Sequence, residues 1–211
     1  MNIENPAVSR YAEAMTSPES PLLKRINHET HADVRMPRML SGHLQGRFLA
    51  LISSMIRPKR ILEIGTYTGY SALCLAEGLA PGGRLITIDN NDELEKRVRS
   101  YFAESPWNAS IDFRVADAQA LIPALPGPFD LVWIDADKEG YSKYFDLVID
   151  KVSSGGYILA DNVLWSGKVL EPDPDKDTRA IMAFSEKVRN DLRVQTVLVP
   201  LRDGIMLMRK I

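Results

Sequence analysis

The chain has 211 residues, of which 45% are hydrophobic and 26% charged, the proportions of a globular domain rather than a disordered chain. Lys and Arg total 26 against 28 Asp and Glu, a formal charge of -2, so no global basic field favours nucleic acid or an anionic membrane as partner. The single cysteine, Cys74, excludes an internal disulfide; with no signal-peptide pattern and no apolar run near the ~18 residues of a membrane span, a reducing, cytoplasmic setting is expected.

Two helices are predicted within residues 1–35, separated by Pro18 and Pro21. A third is predicted over 41–56, where Leu44, Phe48, Leu51, Ile52 and Met55 recur at helical spacing before Pro58. Strands and helices then alternate: strand 60–65, helix 69–80, strand 84–89, helix 93–104, strand 110–116, helix 118–125, strand 129–135, helix 140–152 and strand 156–162. An irregular stretch rich in Asp and Pro leads to a helix near 177–191. Two strands, 194–201 and 205–211, close the chain as a hairpin. Five strand-helix units in series predict an α/β fold, with a parallel doubly wound sheet and helices on both faces. The hairpin is expected to add one antiparallel strand at the edge. One domain is expected over 1–211, with a helical segment at 1–57 and a Rossmann-like core at 58–211.

Ligands of such sheets sit outside the carboxyl ends of the strands. The first strand ends in Glu63-Ile-Gly65-Thr66-Tyr67-Thr68-Gly69-Tyr70-Ser71. Gly65 and Gly69 suit close backbone approach to a ligand, or simply make the turn; the third glycine of a dinucleotide clasp is absent. Glu63, an acid inside a buried strand, requires a compensating partner. The second strand ends in Asp89, about 20 residues past the turn, where a ribose diol is gripped. Asp117 after the third strand reads as a helix N-cap that can also accept from an exocyclic amine. The fourth strand ends in Asp135-Ala-Asp-Lys138 and the fifth in Asp161-Asn162. Singly these acids read as turn residues. Together, Asp135, Asp161 and Asn162 are an oxygen-only set suited to Mg²⁺, Mn²⁺ or Ca²⁺. Five carboxylates on one rim repel phosphate and favour a cationic adenosine ligand, S-adenosylmethionine (SAM).

The runs LEIGTYTGYSAL, LITIDNN, WIDADKEGY, YILADNVLWSGKV and VPLRDGIMLMRKI resemble the cation-dependent O-methyltransferases, the family of the caffeoyl-coenzyme A and catechol O-methyltransferases and their bacterial relatives. The resemblance implies a class I SAM-dependent methyltransferase fold with seven strands, the last antiparallel. It implies Asp135, Asp161 and Asn162 as metal ligands. Met39, Ser41, Glu63, Gly65, Thr66, Ser71, Asp89, Asp117, Ala118 and Asp135 would hold the cosubstrate. Lys138 would be the catalytic lysine, and a homodimer is expected. Two positions depart from the family pattern: Ala116 and Arg202 stand where glycine is usual, the second on the acceptor side.

The implied reaction is methyl transfer from SAM to a hydroxyl of a vicinal-diol aromatic, a catechol- or caffeoyl-like small molecule. A divalent cation would orient the oxyanion and Lys138 would take its proton. Trp165 reads either as a wall for the aromatic acceptor or as ordinary packing. Met39, Met55, Met182, Met206 and Met208 read as core or cosubstrate packing. Cys74 reads as a small buried hydrophobe, and His28, His31 and His43 form no ligand pattern. An amino-methyltransferase acting on nucleic acid would carry an Asn/Asp-Pro-Pro-aromatic run where this chain has Asp135-Ala-Asp-Lys. A nicotinamide dehydrogenase needs the missing glycine. A non-catalytic binding module need not keep Lys138 with the metal set.

Overall fold

The alternation after Pro58 folds as one sheet. A computed structural model describes residues 6–211; residues 1–5 of the expected N-terminal segment lie outside them. Three helices come first: α1 (Pro6–Ala14), α2 (Pro21–Asp33) and α3 (Gly42–Ile56). Ser20 caps α2, accepting from the Leu23 amide. Then follow β1 (Arg60–Ile64), α4 (Tyr70–Ala76), β2 (Arg84–Asp89), α5 (Glu95–Glu104), β3 (Ile111–Val115), α6 (Ala118–Leu121), β4 (Phe129–Ile134), α7 (Tyr141–Ile149), β5 (Val152–Ala160), α8 (Lys176–Arg189), β6 (Val194–Val199) and β7 (Ile205–Lys210).

The strand order is β3-β2-β1-β4-β5-β7-β6. This corrects the expected place of the antiparallel strand. β7 is antiparallel to both neighbours and lies between β5 and β6, not at the edge. The edge strand β6 therefore runs parallel to β5. The hairpin turn fixes only that β6 and β7 pair; the apolar run of β7, with Ile205, Met206 and Met208 buried, decides which of the two goes inside.

Alternating strand residues feed two cores. Leu62, Ile64, Val132, Ile134 and Ile158 pack under α7 and α8 with Phe145 and Phe184. Ile61, Leu131, Trp133 and Leu159 pack under α2, α3, α4 and α5 with Ile26, Leu49 and Phe102. Glu63 shares the second face.

Several local expectations change. Leu51 and Met55 of α3 are exposed, and so is Met182 of α8, so Met55 and Met182 are not core residues. α3 instead buries Gln45, Gly46, Leu49, Ala50 and Ser53. Small residues turn this face inward, because α4 approaches closely: a Cβ on Gly46 would lie 2.5 Å from the Tyr70 ring. The helix expected over 69–80 stops at Ala76, where Gly78 packs against the Ser53–Ser54 backbone. The one expected over 118–125 breaks into α6 and a 3-10 turn, Ile122–Ala124, at Pro123. β5 begins at Val152, earlier than position 156, across a register shift opposite Phe129 and Leu131.

Candidate active site

Parallel pairing continues one residue past the strand ends and sets the site residues on a common rim. The Gly65 amide donates to Ile88 O (2.9 Å), Asp135 to Ile64 O (2.8 Å), Asp161 to Ile134 O (3.0 Å) and Ala116 to Asp89 O (2.8 Å). Gly65 has φ +101°, and a Cβ there would lie 2.0 Å from the Asp135 carbonyl oxygen. Only glycine allows the β1 and β4 ends to meet so closely.

A cleft opens above this contact, lined by Met39, Leu40, Ser41, Gly65, Thr66 and Asp135, with Tyr67, Thr68, Tyr70 and Ser71 completing the wall. Six of the residues expected to hold the cosubstrate thus come together: Met39, Ser41, Gly65, Thr66, Ser71 and Asp135. Met39 is 56% exposed, so it edges the cleft rather than filling a core. Glu63 lies in the strand that leads to it, and Asp89 beside its turn. Asp89 accepts from the Tyr67 amide (2.7 Å) and the Asn91 amide (2.9 Å), which fixes both carboxylate oxygens. Asp117 is an exposed N-cap for α6, accepting from Gln119 N (2.8 Å). Asp117 and buried Ala118 sit at the end of β3, outside the lining of the cleft.

Glu63 is completely buried. It accepts from the Thr87 hydroxyl on the adjacent strand, which in turn pairs with Thr66. Its other oxygen has no partner, nor does the indole N–H of Trp133, the residue beside it in register on β4. Burial, followed by the nearby Asp135 and Asp89 charges and opposed by the neighbouring Ser71 and Thr87 hydroxyls, pushes its carboxyl up to about 8.

The second cluster surrounds Lys138. Its Nζ donates to Asp135 Oδ1 (3.2 Å), Asn162 Oδ1 (2.7 Å) and the Tyr141 hydroxyl (2.7 Å). Tyr141 donates to Asp161 O (3.1 Å). Asp161 is buried and held from both sides: Gln45 Nε2 donates to Oδ2 (2.6 Å) and the Asn162 amide to Oδ1 (2.8 Å). Burial first, then the Asp135 charge, raises its carboxyl to about 7. Trp165 flanks this cluster, its ring 5.7 Å from Lys138 Nζ and its buried indole N–H unpartnered. The segment around it is wound through left-handed residues: Asn162 (φ +55°), Trp165 (+46°), Ser166 (+55°) and Gly167 (+80°). Such a run persists only where surrounding contacts impose it. Here Asp203 supplies one, its carboxylate accepting from the Ser166 amide.

A family model for O-methyltransferases matches residues 13–211. The chain belongs to the O-methyltransferase family. It is 35% identical over 173 residues to catechol O-methyltransferase domain-containing protein 1 of Mus musculus, a match covering 79% of this chain and 66% of the mouse protein. Among solved structures it is similar to an SAH-bound methyltransferase of Podospora anserina (TM-score 0.90, 28% identity, 97% of this chain and 94% of that one). It is also similar to an O-methyltransferase of Streptomyces achromogenes in complex with SAM (TM-score 0.87, 28% identity, covering 97% and 96%).

The structure brings to the candidate site three residues that the sequence alone does not single out. Tyr141 lies within the quoted WIDADKEGY run, one helical turn after Lys138, and anchors its amine. Gln45 is a polar residue on the buried face of α3, a pattern that periodicity alone does not flag. Asp203 lies in the turn between β6 and β7, where an acid is an ordinary turn residue. Among the described residues, no three His, Cys, Asp or Glu side chains cluster as a metal site. The candidate set is two carboxylates and an amide oxygen. Its chemistry fits a hard divalent cation, and Lys138 Nζ bridges Asp135 Oδ1 and Asn162 Oδ1.

Proposed function

We propose that this protein transfers a methyl group from SAM to one hydroxyl of a vicinal-diol aromatic, with a divalent cation held by Asp135, Asp161 and Asn162. The observation that carries the reading is the convergence of Asp135 and Asn162 on the Lys138 ammonium, with the buried Asp161 carboxylate against the Asn162 amide, beside the glycine-bearing cleft. The SAM- and SAH-bound relatives support the cosubstrate, and the name of the mouse relative supports a catechol-like acceptor.

In this reading Asp89, already oriented by two backbone amides, accepts from the ribose diol. Asp117 accepts from the adenine amine. Glu63, with an unpaired buried oxygen, would ionise on binding to supply the negative counterpart to a cationic ligand. Gly65, Thr66, Ser71, Met39, Ser41 and Ala118 shape the surroundings. When bound, the cation, Mg²⁺ or Mn²⁺, lowers the pKa of the acceptor hydroxyl and fixes its orientation. With Asp135 and Asn162 so engaged, Lys138 would keep Tyr141 as its anchor and, entering as the neutral amine, take the phenolic proton at Nζ. The acceptor oxygen bonds to the methyl carbon as the carbon–sulfur bond breaks, leaving S-adenosylhomocysteine (SAH) and an aryl methyl ether. Trp165 offers its face to the aromatic ring, and alignment of oxygen, carbon and sulfur supplies much of the rate.

A homodimer accompanies this reading, supported by exposed Val8 and Tyr11 on α1, Met15 just after it, and Leu51 and Met55 on the neighbouring α3. No described helix is long and apolar enough to cross a membrane, and the near-neutral charge supports a small-molecule rather than a nucleic-acid acceptor. The test is a panel of phenols with labelled SAM. Vicinal diphenols are expected to be methylated and isolated phenols not; equal labelling of both would remove the chelated-diol reading.

A further inference from the structure

Arg202 occupies the turn between β6 and β7 at φ +50°, a backbone conformation that favours glycine. A long cationic residue persists there only if its side chain is held elsewhere. Its Nη1 donates to Leu40 O (3.1 Å), to Ser41 O and to Gln45 Oε1 (3.2 Å). Leu40 and Ser41 line the cosubstrate cleft. Gln45 is fully buried and spends its amide nitrogen on Asp161 Oδ2, 2.6 Å away.

This geometry gives the Gln45 amide a direction. Its oxygen faces a guanidinium that can only donate, so its nitrogen must face Asp161. Without Arg202 the amide oxygen loses its donor, and only the Asp161 carboxylate is left to hold the amide. The donor that fixes one of the two Asp161 oxygens is then less firmly placed. Three segments far apart in sequence, 40–45, 161 and 202, are joined through this one side chain.

We propose that Arg202 is a positioning residue that sets the orientation of the Asp161 carboxylate through Gln45 and braces the Leu40–Ser41 wall of the cleft. The first half rests on the cation reading given above; the second does not. Outer partners of metal ligands typically change metal affinity by about 10–100-fold.

The test measures Mn²⁺ binding to the ligand-free protein by electron paramagnetic resonance of free Mn²⁺, with SAH binding measured by calorimetry. Arg202→Gly and Arg202→Met should each weaken Mn²⁺ binding about tenfold. Glycine relieves the left-handed backbone and methionine does not, so an equal loss in both assigns it to the guanidinium. Arg202→Lys should recover part of the loss. Gln45→Met should match it, and the double variant Arg202→Gly with Gln45→Met should be no worse than either alone. SAH binding should weaken in Arg202→Gly but not in Gln45→Met. Wild-type Mn²⁺ affinity in Arg202→Gly, or losses that multiply in the double variant, would overturn the proposal while leaving the cation site standing. A wild-type protein that binds no Mn²⁺ would overturn the cation reading and the Asp161 half of this inference together.

Discussion

Glu63 makes the ligand-free protein sensitive to pH in a direction opposite to that of most carboxylates. It is buried in β1 with one oxygen unpartnered, and burial pushes its carboxyl up from an ordinary value of 4.5 to about 8. Between those values the folded protein holds a proton that the unfolded chain has lost. The folded state therefore binds more protons, and stability falls as pH rises through this window, levelling off above about 8. Taking the two values at face, the loss from pH ~5 to pH ~7.5 is on the order of 3 kcal/mol. Glu63→Gln keeps the shape without the ionisation. Asp161, raised to about 7, tilts both proteins the same way, so the difference between them isolates Glu63. Urea unfolding of the ligand-free proteins at the two pH values is the assay. The variant should gain on the wild type by about 3 kcal/mol at the higher pH relative to the lower. Parallel pH profiles would show that Glu63 is already compensated in the fold and would refute the reasoning.

Three further outcomes follow from the same geometry. Asp89→Ala should weaken SAH binding by about 2–3 kcal/mol, the contribution of two charge-assisted hydrogen bonds; an unchanged dissociation constant by calorimetry would place the ribose elsewhere. Lys138→Met should lower kcat by about 10²-fold or more while SAH affinity stays within about twofold, with a smaller loss for acceptors bearing more acidic hydroxyls. Wild-type kcat across that acceptor series would make Lys138 a bystander. Light scattering should give a dimer mass that falls to the monomer when Leu51 and Met55 are replaced by Lys; a monomeric wild type would remove the dimer.

The sequence carried the strand ends well. A short apolar run followed by an acid, four times over, marks both the C-terminal edge of a parallel sheet and the residues placed there. Asp135, Asp161 and Asn162 reach one rim because parallel register aligns the ends of β4 and β5. Gln45 and Arg202 were not legible as partners of that site. Their contacts span sequence separations of 116 and 157 residues, and no local pattern encodes which face of α3 meets the β6–β7 turn. Leu51 and Met55 misled for a related reason: helical spacing gives a stripe, but the close approach of α4 selects a face of small residues instead. The position of β7 inside the sheet was hidden as well, since alternation specifies pairing in a hairpin but not which strand docks on β5.

The central claim is methyl transfer from SAM that depends on a cation held at Asp135, Asp161 and Asn162. Its most direct test is labelled-methyl transfer from SAM to a catechol before chelation, after exhaustive EDTA treatment and after adding back Mg²⁺ or Mn²⁺, in the wild type and in Asp161→Ala. Activity should vanish on chelation and return with the metal in the wild type only, while Asp161→Ala stays folded by circular dichroism and inactive throughout. Full transfer after exhaustive chelation, or an active Asp161→Ala, would contradict the account.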